Sequence, residues 1–492
     1  MDTGRIEQFY TRWKLTLPQR IEGYIYDEEK ELLPQRLIFK RFKKAIGKLL
    51  SGSLSDIEKI ILIPGIRGIG KSTLLAQAYA LEKFLKSEDI NITTNINKLY
   101  DRLYLDVSQL HAEQISLNDF FNFYEEINNF HFEKPGKKIL FLLDEIHFDE
   151  NWGLFLKNIY DRTKGHKDIL FLVTGSSALQ INMIADLGRR SDIWEFYPMT
   201  FDEYILLKYN KSCLTDLSDY IRDALFKSLN APAVFKLLLE KKKEIDRYFI
   251  NEIPHIAEKD FFEFGTFPFT LKINNKQKSV EKIKSVIDGI IVKDILKLKD
   301  FKTRTIGKIS DLLYLLAQSD LISYNKIQET LKINRVETLE SLIEILIMSG
   351  LLVKVKTYGT SYGSTRKTPK LLFISPSLRT AILNNNFPTG LEGKKLEDYF
   401  VLIFQKLLNS KKSFKDPGLF YDIAEGGADF VLSLNNNSNI VIEVGFNEEK
   451  YVQVQNTMKK VKYKYGLVFG SRDIELVKDS IVKVPLRYLL MI

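Results

Sequence analysis

The sequence predicts an α/β protein: a P-loop nucleotide-binding core on a parallel sheet, then a helical region, a winged helix and a second α/β domain at the C-terminus. Three observations carry this. Lys59 to Thr73 read as strand, glycine loop and helix; the apolar run Ile139–Leu143 ends in Asp144-Glu145; and from about residue 305 three amphipathic helices precede two short strands. With 492 residues the chain exceeds what one hydrophobic core supports, so roughly three or four domains are expected.

Residues 1–50 form an N-terminal segment of mixed, partly helical character. Within it Phe39, Phe42, Ile46, Leu49 and Leu50 recur at helical spacing beneath a basic face of Lys40, Arg41, Lys43 and Lys44. Two readings fit: a solvated amphipathic helix, or a helix packed against the adenine side of the nucleotide site that begins just after it.

The core, residues 51–205, opens on the strand Ile60–Ile63, which ends at Pro64. Gly65, Ile66, Arg67, Gly68, Ile69, Gly70, Lys71 and Ser72 then fill the pattern Gly-x-x-x-x-Gly-Lys-Ser, and Thr73 leads into a helix through Leu74, Leu75 and Ala76. That is a phosphate-binding P-loop in its strand-to-helix setting. The glycines admit backbone geometries closed to other residues, so successive N–H groups can face a polyphosphate at the positive end of the helix. Lys71 is expected to reach the β and γ phosphates of ATP, and the Ser72 hydroxyl to ligate Mg²⁺. A glycine-rich turn before a helix is the plainer alternative.

Leu103–Val107 is the second strand, and a helix is expected from Leu117 to Asn129. Ile139–Leu143 is apolar on both faces, so it belongs in a buried parallel sheet whose carboxyl end delivers Asp144 beside the P-loop. Asp144 is expected to hold Mg²⁺ through water, and Glu145 to polarise the attacking water. In such a core the next strand, Ile169–Val173, lies between these two. A hydroxyl at its tip, Thr174 or Ser176, can then touch the γ phosphate or the water, while Ser176 or Ser177 also suits a helix N-cap. Ile193–Tyr197 is the last core strand. Glu after Asp144, and no Asn-Lys-x-Asp, argue against a GTPase; Asp144-Glu145-Ile146-His147 spells a helicase-like box, but no second set of such motifs follows.

A net charge of +9 permits contact with an acidic surface and points there only weakly. The single cysteine, Cys213, excludes an internal disulfide, and the five histidines lack ligand spacing, so no structural zinc is expected. No apolar run reaches the 18 or so residues of a spanning helix, and the N-terminus lacks a leader pattern, so a cytoplasmic protein without a membrane partner is expected.

Thr174-Gly175-Ser176-Ser177, Gly188-Arg189 and the run Phe196-Tyr197-Pro198-Met199-Thr200-Phe201-Asp202-Glu203-Tyr204 together resemble the prokaryotic, largely archaeal, AAA+ ATPases of the signal-transducing type. In that family a C-terminal region related to the PD-(D/E)XK nucleases follows the core. The resemblance implies that Arg189 sits where an arginine can approach the γ phosphate, in its own subunit or a neighbour's; a surface salt bridge is the other reading. Residues 206–304 are helical in pattern, as a lid over the nucleotide would be. Phe264-Gly265-Thr266-Phe267-Pro268 stands where the family has a Gly-Gly-x-Pro turn, with Phe264 replacing the first glycine.

Residues 305–380 carry the winged-helix pattern. The wing around Lys354, Lys356, Arg366, Lys367 and Lys370 holds no acid, which suits DNA phosphates, whereas the recognition helix exposes Glu337, Glu340 and Glu344, which repel them. A nonspecific grip on DNA by the wing and a protein-docking role fit equally. In residues 381–492, by the same resemblance, Glu397, Asp429 and Glu443 are the carboxylates a restriction-endonuclease-like fold would use to hold Mg²⁺. The lysine such enzymes place two residues after the Glu is Gly445 here, with Lys450 or Lys460 as the nearest replacements. That absence favours a catalytically degenerate domain over a DNA nuclease. Tyr465–Gly470 is expected to close the terminal sheet. The expectation as a whole is an ATP-hydrolysing switch, with an ATP-licensed, Mg²⁺-dependent nuclease as the alternative, acting with DNA, a protein partner or copies of itself.

Overall fold

A strand that is apolar on both faces has to lie inside a sheet covered by helices on both sides, and the core strands do so. In this computed structural model residues 3–175, 187–211, 215–295, 303–319, 323–359, 368–384, 391–408, 418–434 and 438–492 are described. The chain divides into two compact units, Met1–Phe196 and Tyr197–Ile492.

In the first unit β1 (Ile60–Pro64), β2 (Leu99–Asp106), β3 (Lys138–Asp144), β4 (Ile169–Gly175) and β5 (Asp192–Ile193) form one parallel sheet in the order β2-β3-β4-β1-β5. β4 lies between the P-loop strand and the Asp-Glu strand, as expected. The register Ile63↔Thr174 and Leu143↔Val173 brings the carboxyl ends of β1, β3 and β4 to one edge. β5 is shorter than Ile193–Tyr197, but the chain keeps following β1 through Trp194 N–H to Leu62 O and Phe196 N–H to Pro64 O, both 2.8 Å. Phe121, Phe141 and Phe171 pack the space beside the sheet, the last two stacked at 4.5 Å.

Helices α1 (Thr3–Ile25) and α2 (Phe39–Ser51) belong to this unit. In α2 the apolar face of Phe39, Phe42, Ile46, Leu49 and Leu50 is buried, while Lys40, Arg41 and Lys44 on its basic face are exposed. Phe42 meets Trp194 edge-on, and the Arg41 guanidinium lies 4.2 Å over the same indole. From α1, the Trp13 Nε1–H donates to Tyr104 O at 3.1 Å.

The second unit is built on an eight-stranded mixed sheet, β12-β13-β11-β10-β9-β8-β6-β7. The expected winged-helix helices are Thr303–Gln318, Tyr324–Leu331 (capped by Ser323) and Val336–Met348, followed by the hairpin β6 (Leu352–Thr357) and β7 (Lys370–Phe373). The far half of β6 also pairs in parallel with β8 (Gly418–Tyr421), so the wing hairpin and the terminal domain share one sheet. β9 (Phe430–Leu434), β10 (Ser438–Val444) and β11 (Tyr463–Phe469) continue it. β11 does not close the sheet: β13 (Ile481–Val484) and the edge strand β12 (Glu475–Val477) lie beyond it, because a further hairpin follows.

The helices expected as a lid pack within this unit. Tyr465 Oη–H donates to Leu225 O at 2.9 Å, and the Thr266 and Ser375 hydroxyls are 2.6 Å apart. Phe261–Gly265 is a π-helical turn in which a Cβ on Gly265 would lie 2.8 Å from the Tyr204 ring, so a glycine is required. Arg379 and Asp398, both fully buried, pair through two nitrogens at 2.6 and 2.9 Å, and Arg379 also donates to Leu316 O and Ala317 O. No helix among the described residues is long and apolar enough to cross a membrane.

Candidate nucleotide site and carboxylate cluster

The P-loop turns because its glycines let it. Gly68 (φ 79°) and Gly70 (φ 93°) are left-handed. A Cβ on Gly65 would lie 2.5 Å from Phe196 O and 2.6 Å from the Ile69 side chain. Lys71 opens helix α3 (Lys71–Tyr79); its ammonium is buried and donates to Gly65 O at 2.7 Å and Ile66 O at 2.9 Å. Ser72 and Thr73 follow, partly buried, at the start of the helix. Arg36, from the segment before α2, donates to Ile69 O at 2.7 Å and lies 4.5 Å over the Phe196 ring. No local motif marks Arg36 in the sequence.

At the ends of the neighbouring strands Asp144 is buried and receives hydroxyl donors on both oxygens. Thr174 donates to Oδ1, and Tyr104 to Oδ2 at 3.0 Å. Burial and the adjacent Asp144 push the Tyr104 hydroxyl far above its ordinary pKa, so it stays a donor. Burial also raises Asp106, against the pull of the Ser108 hydroxyl. Glu145 adopts φ 52°, uncommon for a residue with a side chain. Its N–H lies 3.1 Å from Asp144 Oδ1 and 3.4 Å from Thr174 Oγ1, and its carboxylate is 3.4 Å from His147 Nδ1. The sequence reading missed Tyr104, although a tyrosine within the buried run Leu103–Leu105 was a usable signal.

These residues fit ATP with Mg²⁺: a cradle too narrow for side chains, a buried ammonium, a hydroxyl opening the helix, and a carboxylate already held in place. Thr174 is brought to Asp144. Ser176 and Ser177 lie outside the described residues. Arg189 is exposed on the turn before β5, and Arg190 pairs with Asp161 at 3.8 Å.

In the second unit Glu397, Asp429 and Glu443 converge, and what lies between them corrects the reading of Lys370. This lysine is not a wing contact for phosphate. It is buried, ion-paired to Glu397 Oε2 and 3.3 Å from Asp429 Oδ1, because β7 turns it into the sheet opposite Val355. Lys394 holds Glu397 Oε1 at 2.8 Å. Glu443 Oε2 accepts the Asp429 N–H and Asp429 Oδ2 the Val444 N–H, both at 3.1 Å. Burial, then the charges of Asp429 and Glu397, pushes the Glu443 carboxyl up to about 9. The positive charge missing at Gly445 is therefore present, from another strand. Lys460 does not supply it, since its ammonium pairs with Asp422 at 2.7 Å. Among the described residues no three His, Cys, Asp or Glu side chains are grouped to hold a metal ion. Lys354 and Lys356 are exposed on β6, as are Glu337, Glu340 and Glu344 on their helix; Arg366 and Lys367 lie outside the described residues.

The profile of the family described as "AAA domain" matches residues 57–205, and that of a "Domain of unknown function (DUF8612)" matches residues 257–389. The uncharacterized protein MJ1637 of Methanocaldococcus jannaschii is 32% identical over 472 residues, covering 95% of this chain and 90% of its own. An uncharacterized Haemophilus influenzae protein is 26% identical over 330 residues, covering 65% of this chain and 68% of its own. Among solved structures, the Walker-type ATPase PABY2304 of Pyrococcus abyssi aligns at 16% identity and a TM-score of 0.36, over 70% of this chain and 95% of that one. The Orc1 protein of Aeropyrum pernix, solved in complex with DNA, aligns at 12% and 0.30, over 72% and 94%.

Proposed function

The chain belongs to the family of MJ1637 and is an AAA-type P-loop ATPase, and we propose that it works as a nucleotide-driven switch whose output is the way the winged helix and terminal domain are presented to a partner. The observation that carries this is the meeting of Lys71, Asp144, Glu145 and Thr174 at the carboxyl edge of one parallel sheet.

The loop N–H groups and Lys71 bind the phosphates. Ser72 and Asp144 hold Mg²⁺, which when bound neutralises phosphate charge. Glu145 takes the proton of the attacking water, and Thr174 fixes the Asp144 carboxylate beside it. Arg189, exposed on its turn, is available to a phosphate of its own or a neighbouring chain. Because β6 belongs to both the wing hairpin and the terminal sheet, these two parts would be presented together. Exposed Lys354 and Lys356 support a nonspecific DNA grip by the wing, and the acidic helix supports a protein partner.

Two variants and one structural readout test this. Lys71→Ala should abolish nucleotide binding; unchanged ATP affinity overturns the site assignment. Glu145→Gln should bind ATP normally while hydrolysis falls by about 100-fold or more, since general-base catalysis alone is removed. Hydrogen exchange of residues 197–492 should then differ between Glu145→Gln with ATP and wild type with ADP. Identical exchange would leave an ATPase that is no switch.

A further inference from the structure

Two buried acids, Glu397 and Glu443, packed beside the partly buried Asp429 need positive charge, and a divalent metal is one source of it. In this chain the charge is already present. Glu397 Oε1 accepts from Lys394 and Oε2 is ion-paired with Lys370; Asp429 accepts from Lys370 and the Val444 N–H, and Glu443 from the Asp429 N–H. Lys370 is anchored by the Val355↔Lys370 pairing of β6 and β7, and its ammonium lies 5.1 Å over the Phe430 ring.

We propose that Lys370 is the resident cation of this cluster: its ammonium takes the place a divalent ion would hold among Glu397, Asp429 and Glu443, and removing it converts the cluster into a metal site. The reasoning is one of competition. A Mg²⁺-like ion would take one or two of these carboxylates at about 2.0–2.1 Å while keeping several waters, so it competes with Lys370 for the same oxygens. Lys370 is tethered to the sheet, so its effective concentration at the cluster is on the order of millimolar or more without any cost of encounter. A free ion has to displace it from Glu397 and Asp429. Position 445, a glycine, supplies no charge of its own, and a Cβ there would stand in tight contact, 3.0 Å, with Glu448 Cβ. The cluster then serves as an ionic pin between the wing hairpin and the terminal sheet, and metal-dependent cleavage of DNA is not expected of it. This inference is independent of the nucleotide reading, since it concerns residues of the second unit only.

The test uses the nucleotide-free full-length chain and Mn²⁺ alone, with free ion counted by electron paramagnetic resonance and stability followed by thermal melting. Wild type should take up no Mn²⁺ that depends on Asp429. Lys370→Met should melt lower in chelator, bind one equivalent at least about 10-fold more tightly than any wild-type uptake, and regain melting temperature with Mn²⁺. The double variant Lys370→Met/Asp429→Asn should lose that binding. The proposal is overturned if wild type binds Mn²⁺ and Asp429→Asn abolishes it, or if wild type nicks supercoiled DNA with Mn²⁺ and Asp429→Ala does not. It is overturned equally if Lys370→Met folds and binds no Mn²⁺, or fails to fold and is not rescued by it.

Discussion

Thr174→Val separates two roles for one hydroxyl. Position at a strand tip beside the P-loop suggests contact with the γ phosphate or the attacking water. The geometry instead ties the hydroxyl to Asp144 Oδ1, with the Glu145 N–H 3.4 Å away and Thr174 itself fully buried. Valine keeps the volume and removes only the bond. Asp144 retains the Tyr104 hydroxyl at 3.0 Å and the Glu145 N–H at 3.1 Å, so the carboxylate stays in place but less firmly held. A hydrogen bond to a charged group is worth about 1.5–3 kcal/mol. If that loss falls on the metal-holding arrangement, turnover at low Mg²⁺ should drop by about 10- to 100-fold. The assay is phosphate release at saturating ATP across a Mg²⁺ series, with nucleotide binding measured in chelator. The half-saturating Mg²⁺ concentration should rise about 10-fold, while chelator-phase affinity stays within about two-fold. A lower maximal rate at every Mg²⁺ concentration, with the half-saturation point unmoved, refutes the positioning role and restores direct contact with the nucleotide or water.

Two other substitutions probe contacts that no motif announces. Arg36→Met removes the donor to Ile69 O and the guanidinium over Phe196, so ATP should bind about 10-fold more weakly by calorimetry, because one loop carbonyl loses its charged partner; affinity equal to wild type would make Arg36 a packing residue only. Asp398→Ala leaves the fully buried Arg379 without its carboxylate and should destabilise the second unit by about 3–5 kcal/mol in urea, while the apolar pair Arg379→Met/Asp398→Leu should recover much of that loss.

The nucleotide site was legible because its parts are local. The glycines that turn the loop, the lysine that follows and the acid that ends an apolar strand all stand within a few residues of the strands that position them. α2 was not legible, since an amphipathic pattern states which face is apolar and not what covers it; Trp194, which does so in part, stands some 150 residues on. The joining of wing and terminal domain was hidden for a similar reason. The pairing Lys356↔Phe420 spans a gap that alternation within either strand does not encode, so a boundary near residue 380 looked natural where one sheet continues.

Lys370 is the instructive case, because part of its signal was available. Proximity in sequence groups it with Arg366 and Lys367 as wing charge. In an antiparallel hairpin, however, residues directly opposite each other share a face. Lys370 stands opposite Val355, which is buried, whereas Lys354 and Lys356 on either side of Val355 are exposed. Once that register is drawn, a lysine facing inward requires buried acid, and Glu397 and Asp429 are the acids it meets. The glycine at 445 and the lysine at 370 then belong to one arrangement. The cluster needs a cation, the glycine at 445 brings none, and the hairpin strand β7, three places beyond β9, delivers it.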